Sequence, residues 1–344
     1  MLYATTRGKH DVVTAYKAIH TDCFADGGLF VPFRLPKLNK EQIDALATTA
    51  SAQIIADVLN EFFTCGLTAR DVETAVGRRP VKTVSIGRRL MAAELWHGAG
   101  SEASYVVRRL SDRICGGRGV SPSNWMQVAV RIALLFAAYG NLLSSGHLRP
   151  RRLLDVAVTT GDFTIPMAAW YARQMGLPIG NIVCGCNDNG GVWDLLNRGE
   201  FSTGDILTRT STPEADIVVP RNLERLIYGA LGVEETKRYL LCCSKGRTYT
   251  LSEDALQKLG QGMFAAVISD SRVASIVPAV YHTRGYVLSP YGALAYGSLQ
   301  DYRAVTGGTR PALLLAERSP LRDSRQVSEL LQMKENDLPS LIGR

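Results

Sequence analysis

The chain has 344 residues, 46% of them apolar, and a formal charge of +7, enough to bury a sizeable core as one domain plus a smaller companion or as two. The basic pairs Arg78-Arg79, Arg88-Arg89, Arg108-Arg109 and Arg151-Arg152 are scattered, and no aromatic and basic residues interleave as a stacking groove requires. This argues against a nucleic-acid partner and for solvated surface charge, a mildly basic surface that would also suit a small anionic ligand.

In chain order, the first part reads as mostly helical. A short amphipathic run follows Asp11, a second starts near Asn39, Ser51 precedes a third, and Thr68 with Asp71 marks a fourth helix start. Between the first two lies Ala25-Asp-Gly-Gly-Leu-Phe-Val-Pro32, whose paired glycines predict a tight turn ahead of a short extended segment. The segment from Cys115 to Ser123, with three glycines and a proline, is the most linker-like.

After it the pattern alternates. Trp125 to Leu143 is the longest apolar stretch, but Gln127, Arg131 and Asn141 interrupt it, so it predicts a central core helix and no membrane span. A strand over Leu153 to Val158, a helix over Met167 to Met175 and a strand over Ile179 to Gly185 form a right-handed parallel unit, which sets an α/β class. Helices follow over Asn222 to Leu231 and Ser252 to Leu259, Ser269-Asp270 caps another, and Ala312 to Ala316 reads as a buried strand.

The seven cysteines, odd in number and without a leader or zinc-type spacing, imply free thiols in a reducing cytoplasm; Cys184-x-Cys186 and Cys242-Cys243 read as apolar thiols. The five histidines show no metal spacing, so no metal site is expected. His97 stands beside glycines that permit ligand approach, although a histidine there is more often a packed or capping residue than a catalyst. Thr159-Thr-Gly-Asp-Phe-Thr-Ile-Pro166 lies where a strand passes into a helix, where free N–H groups and the helix dipole favour an anion. With one glycine, and with Asp162 placing a negative charge there, it reads as a structural loop or as a weak phosphate site.

Tyr3-Ala-Thr-Thr-Arg-Gly8, Ala25-Asp-Gly-Gly-Leu-Phe-Val-Pro32 and Glu94-Leu-Trp-His-Gly98, in that order, resemble the opening motifs of the threonine synthase family. Asn124-Trp125, Thr160-Gly-Asp-Phe163, Ala172-Arg-Gln-Met-Gly-Leu-Pro-Ile179, Asn222-Leu-Glu-Arg-Leu226 and Gly285-Tyr-Val-Leu-Ser-Pro290 extend the resemblance over nearly the whole chain. The resemblance implies a fold type II architecture: a helical N-terminal domain over residues 1–93 and a parallel-sheet large domain over 94–344. It also implies the chemistry of a pyridoxal-phosphate-dependent lyase acting on O-phosphohomoserine.

That chemistry needs a lysine to hold the cofactor, a loop to cradle its phosphate and a mobile small domain. The departures fall on those parts. Ser104 stands at the family's lysine position, and the phosphate loop is reduced to Thr160, Gly161, Asp162, Phe163 and Thr164. Gln127 replaces a helix arginine, Tyr291-Gly292 replaces His-Thr, and Ala316-Glu317-Arg318 replaces Thr-Ala-His, whose threonine serves the cofactor ring. Residues 115–123 bridge the place where most of the small domain is missing.

The expectation is therefore a homologue that has lost pyridoxal phosphate and serves as a scaffold, subunit or ligand-binding protein. Partners would be a second copy, a full-length homologue or a small molecule. The alternatives are an enzyme repurposed around His97, Ser104, Asp162 and Tyr291, or residual lyase activity on another lysine such as Lys245.

Overall fold

The computed structural model describes residues 1–8, 12–78, 81–96, 103–117 and 119–342. Strand β1 (Leu2–Thr5) pairs antiparallel with β2 (Val13–Thr14) and with β3 (Phe30–Pro32), making a three-stranded sheet around α1 (Ala15–His20). Three helices follow: α2 (Lys40–Ala45), α3 (Ser51–Phe63) and α4 (Ala69–Val76). Reciprocal side-chain caps from Asn39 with Gln42 and from Thr68 with Asp71 start α2 and α4, satisfying backbone donors that have no partner inside a helix.

The N-terminal region is thus less helical than its sequence suggests. Strand β3 is the extended segment expected after the paired glycines, whereas β1 and β2 carry too little periodicity to be read and their pairing, such as Tyr3 with Pro32, is non-local. The hairpin β4 (Lys82–Gly87) and β5 (Leu90–Glu94) also departs from the sequence reading: β5 lies inside the main sheet, beside a strand from residues 312–316. The sheet therefore takes in residues before the expected boundary at 93/94.

Helix α5 (Ala103–Cys115) leads through a bridge, whose described residues form no helix or strand, into α6 (Trp125–Ser144). Sixteen residues of α6 are buried, and 83% of its most apolar window lies inside the protein. The one helix among the described residues long and apolar enough to cross a bilayer is therefore the core helix that its sequence predicts. Trp125 meets Phe62, Tyr171 and Tyr3 edge-on at 5.5, 5.0 and 6.1 Å, and the Tyr3 hydroxyl donates to the Phe62 carbonyl at 2.9 Å, so the N-terminal sheet, α3 and α6 share one core.

Alternation then sets in as expected. Strand β6 (Leu154–Thr159), α7 (Thr164–Gln174), β7 (Ile179–Cys186) and α8 (Gly191–Arg198) lead to β8 (Glu200–Phe201), α9 (Leu223–Leu231), α10 (Val233–Ser244) and β9 (Tyr249–Thr250), with β8 and β9 paired. Helix α11 (Glu253–Gly260), β10 (Met263–Val267), α12 (Asp270–Arg284), α13 (Pro290–Thr306), β11 (Ala312–Ala316) and α14 (Ser324–Leu330) complete the chain. The sheet runs β10-β7-β6-β11-β5-β4, parallel throughout except for the antiparallel edge strand β4.

Both faces are covered, as a parallel sheet requires. Alternate side chains separate cleanly: Val156, Val158, Leu313 and Leu315 join the α3, α6 and α7 core, while Ala157, Ala312, Leu314 and Ala316 join that of α12 and α13. Small residues on the second face let α13 come close. A Cβ on Gly185 would lie 2.3 Å from the Leu294 carbonyl, so β7 needs glycine there.

Candidate functional site

Open α/β sheets present ligand sites at the carboxyl ends of their parallel strands, and a cavity of about 190 Å³ lies there. Its walls come from the start of α5 (Ser104), from α6 (Arg131), from the loop after β6 (Thr159 to Asp162, Thr164), from the turn at Glu214, from the start of α13 (Ser289, Tyr291) and from the residues after β11 (Glu317, Arg318). Segments from all over the sequence meet because each follows or precedes an element of one sheet.

The loop is built by hydrogen bonds. Thr160 donates its backbone N–H to the Gly185 carbonyl at 3.0 Å, and Phe163 donates back to the Thr160 carbonyl at 2.7 Å. Gly161 takes φ +45°, and Phe163 takes φ +68°, an unusual value for a non-glycine residue, held by a fully buried ring. Asp162 Oδ1 accepts the Thr164 N–H at 3.0 Å, and Oδ2 accepts the Thr164 hydroxyl at 2.6 Å and Asn222 Nδ2 at 3.2 Å. Thr164 and Asp162 of the reduced loop are therefore hydrogen-bond partners.

Behind the loop, Asn222 Oδ1 accepts from Arg225 Nη1. The rest of this fully buried guanidinium donates to the Phe30 carbonyl at 3.1 Å and the Ser123 carbonyl at 2.8 Å, and it lies 5.7 Å from the Trp125 ring centre. Burial pulls its pKa down to about 10, which leaves it charged at neutral pH. Arg225 therefore joins the N-terminal sheet, the 115–123 bridge and, through Asn222, the loop.

The opposite wall holds two arginines. Arg131 Nε donates to Glu317 at 2.7 Å, and its Nη1 donates to the Gln127 backbone and side-chain oxygens, each at 3.0 Å. Arg318 grips Asp323 with two bonds of 2.8 Å, reaches Glu214 at 2.6 Å and lies 4.8 Å from the Tyr291 ring centre. The Tyr291 hydroxyl accepts the Glu214 N–H at 3.1 Å, and partial burial pushes its pKa up to about 12. Ser289 caps α13 by accepting the Gly292 N–H at 3.1 Å.

The structure thus brings Ser104, Thr160, Gly161, Asp162, Thr164 and Tyr291 to one cavity. Phe163 turns into the core instead, and His97 lies outside the described residues. Lys245 is exposed at the end of α10, away from this cavity, which removes it as a substitute for the lysine. Glu94, of the Glu-Leu-Trp-His-Gly motif, lines a different cavity of about 300 Å³ with Lys82, Trp96 and Tyr286. Glu214 was not legible, since nothing local marks it, whereas Ser289 carried a helix-start signal in the Ser-Pro pair that ends Gly285-Tyr-Val-Leu-Ser-Pro290 and was not singled out for the site. Arg131 carried a signal: it sits one helical turn after Gln127, on the same face of α6.

Residues 2–78 match the family described as threonine synthase N terminus. Two similar curated proteins are human threonine synthase-like 1, 28% identical over 179 residues, and mouse threonine synthase-like 2, 29% identical over 174. Each match takes in 50% of this chain, but only 24% and 36% of the respective relative. The chain therefore spans well under half the length of these relatives.

Among solved structures, PLP-bound threonine synthase from Brucella melitensis superposes with a TM-score of 0.86 at 21% identity, covering 97% of this chain and 95% of that one. The yeast threonine synthase gives 0.82 at 14% identity, covering 97% and 90%. At these identities the likeness establishes the fold.

Pyridoxal phosphate, which that fold implies, can be tested against the side chains present. No described residue lining the cavity is a lysine, and residues 97–102, His-Gly-Ala-Gly-Ser-Glu, contain none. The loop donor at Thr164 already serves Asp162. Ala316, at the threonine position, has no hydroxyl. The side chains do not fit a covalently held cofactor. The chain is therefore similar to threonine synthase over its N-terminal residues 2–78, is similar over half its length to threonine synthase-like proteins, and shares the α/β fold of solved threonine synthases over almost its whole length.

Proposed function

We propose that this protein is a threonine-synthase-like homologue that has lost pyridoxal-phosphate-dependent chemistry on O-phosphohomoserine and acts as a non-catalytic scaffold or subunit that keeps a small ligand cavity. One observation carries this reading: Ser104 stands at the cavity wall where the family has its lysine, with no other lysine among the described lining residues. Covalent catalysis through an amine does not survive its removal. The polar lining, two arginines among three carboxylates, supports retention of a ligand.

The alternative of a repurposed enzyme has less support, because both Asp162 oxygens are engaged with Thr164 and Asn222 and so do not orient a base. A second copy of the chain or a full-length homologue is the proposed partner. The seven free cysteines are consistent with a reducing cytoplasm.

The test mixes the purified protein with pyridoxal phosphate, reads the visible spectrum, reduces with borohydride and maps modified lysines. No specific adduct and no turnover of O-phosphohomoserine are expected. One lysine labelled stoichiometrically, with turnover, would overturn the proposal.

A further inference from the structure

We infer that Asp162 is the resident anion of the cavity: its carboxylate takes the loop donors that a ligand phosphate would use, so the site selects small polar molecules without a phosphate group. This rests on the reading above that the cavity still takes a ligand, and it names the class.

Three features carry it. First, the carboxylate is built in. Both oxygens are bound, by the Thr164 N–H at 3.0 Å, the Thr164 hydroxyl at 2.6 Å and Asn222 Nδ2 at 3.2 Å. A backbone N–H at a helix start, a hydroxyl and an amide are the donors that bind a phosphate oxygen at such a position. Here they converge on a side chain two residues before Thr164, and Asn222 also holds the Asp162 carbonyl from its own N–H at 3.1 Å.

Second, the carboxylate answers a buried charge. Arg225 is completely buried and, among the described residues, has no ion-pairing carboxylate; its Nη1 reaches the carboxylate only through the Asn222 amide. A guanidinium taken out of water requires a compensating anion or a full set of acceptors. Asp162 and the buried Glu224 together supply the nearby negative charge permanently, so Arg225 does not depend on a ligand for it.

Third, the remaining charge repels a phosphate. The lining holds Asp162, Glu214 and Glu317 against Arg131 and Arg318, three carboxylates to two guanidiniums. Arg131 is paired to Glu317, and Arg318 to Glu214 and Asp323. A phosphate dianion entering here would face a net negative wall at close range, a repulsion that the low dielectric of a cavity strengthens. A neutral or cationic polar molecule meets no such barrier.

The test is calorimetric titration with inorganic phosphate at fixed ionic strength, on the wild type, Asp162→Asn and the double variant Asp162→Asn/Thr164→Val. The wild type is expected to show no saturable phosphate binding. Asp162→Asn, which keeps the shape and removes the charge, is expected to bind phosphate roughly tenfold tighter or more, and the added Thr164→Val to abolish that gain. Equal phosphate affinity in the wild type and Asp162→Asn overturns the proposal.

Should Asp162→Asn fail to fold, Asp162→Ser takes its place with the same expectations. The wild-type arm needs no variant of Asp162: saturable binding there that Thr164→Val removes also overturns it. The two proposals fail separately. A reducible lysine adduct would refute the loss of lyase chemistry and leave the phosphate comparison standing, whereas phosphate binding by the wild type would refute the resident anion and leave the missing lysine untouched.

Discussion

Helix α6 and the loop at 160–164 lie against each other and are held by opposite means. The helix buries sixteen residues and meets its neighbours through apolar side chains around Trp125. The loop buries one large side chain, Phe163, and is otherwise held by hydrogen bonds among Thr160, Asp162, Thr164 and Asn222. Apolar packing tolerates any set of side chains of fitting volume and is indifferent to charge, whereas the loop is specified atom by atom. The two regions should therefore answer differently to substitution, the helix to changes of volume and the loop to the loss of a single donor or acceptor.

The sharpest test of the contrast is Trp125→Ala. Removing a fully buried indole from the junction of α3, α6 and α7 should cost about 3–5 kcal/mol in urea unfolding; a loss below about 1 kcal/mol would mean that α6 does not carry the core. Asn222→Ala comes next. It strips a shared partner from Asp162 and Arg225, and a loss of about 1–3 kcal/mol is expected, with a double-mutant cycle against Asp162→Ala showing non-additivity.

Ser104→Lys should fold as the wild type does, within about 0.5 kcal/mol, and still form no threonine from O-phosphohomoserine, because the loop and Ala316 remain unsuited. Turnover by this single variant would show that only the amine had been lost. Thiol labelling should divide in the same way: Cys23 and Cys65, both exposed, react in the native protein, whereas Cys184 and Cys186, buried with their thiols pushed upward by desolvation, react only after unfolding.

The smallest effect concerns Glu94. Burial raises its carboxyl above the usual 4.5. Its contribution to stability is therefore fullest below that value and is lost as pH rises through the higher folded-state pKa. Glu94→Gln should remove this downward slope, with the Lys82 pair it gives up worth about 0–1 kcal/mol. An unchanged pH dependence would show that Glu94 titrates normally.

What the sequence disclosed follows the same division. The strand Ala312 to Ala316 and the helix from Trp125 were legible because burial on two faces or all round writes a continuous apolar run. The β4-β5 hairpin was not, since β4 is a half-buried edge and its turn uses Arg89 at φ +58°, without the usual glycine or asparagine signal. At the site, the loop could be read as a junction of strand and helix. The bond from Asn222 to Asp162 could not, because Asn222 lies 60 residues away and only the fold brings it near; the two bonds from Thr164 are local, of the kind an Asp two residues before a helix start makes.

The bridge between α5 and α6 has a further consequence. Gly116 and Gly117 have open space around them, whereas Ser121, Ser123 and Asn124 are fastened to Asp22, Arg225 and Ile19. The joint therefore has a loose half and a moored half. A foreign module spliced in at the two glycines would leave the mooring undisturbed, which makes this point of the chain a natural graft site where new folded cargo can be carried without rebuilding its host.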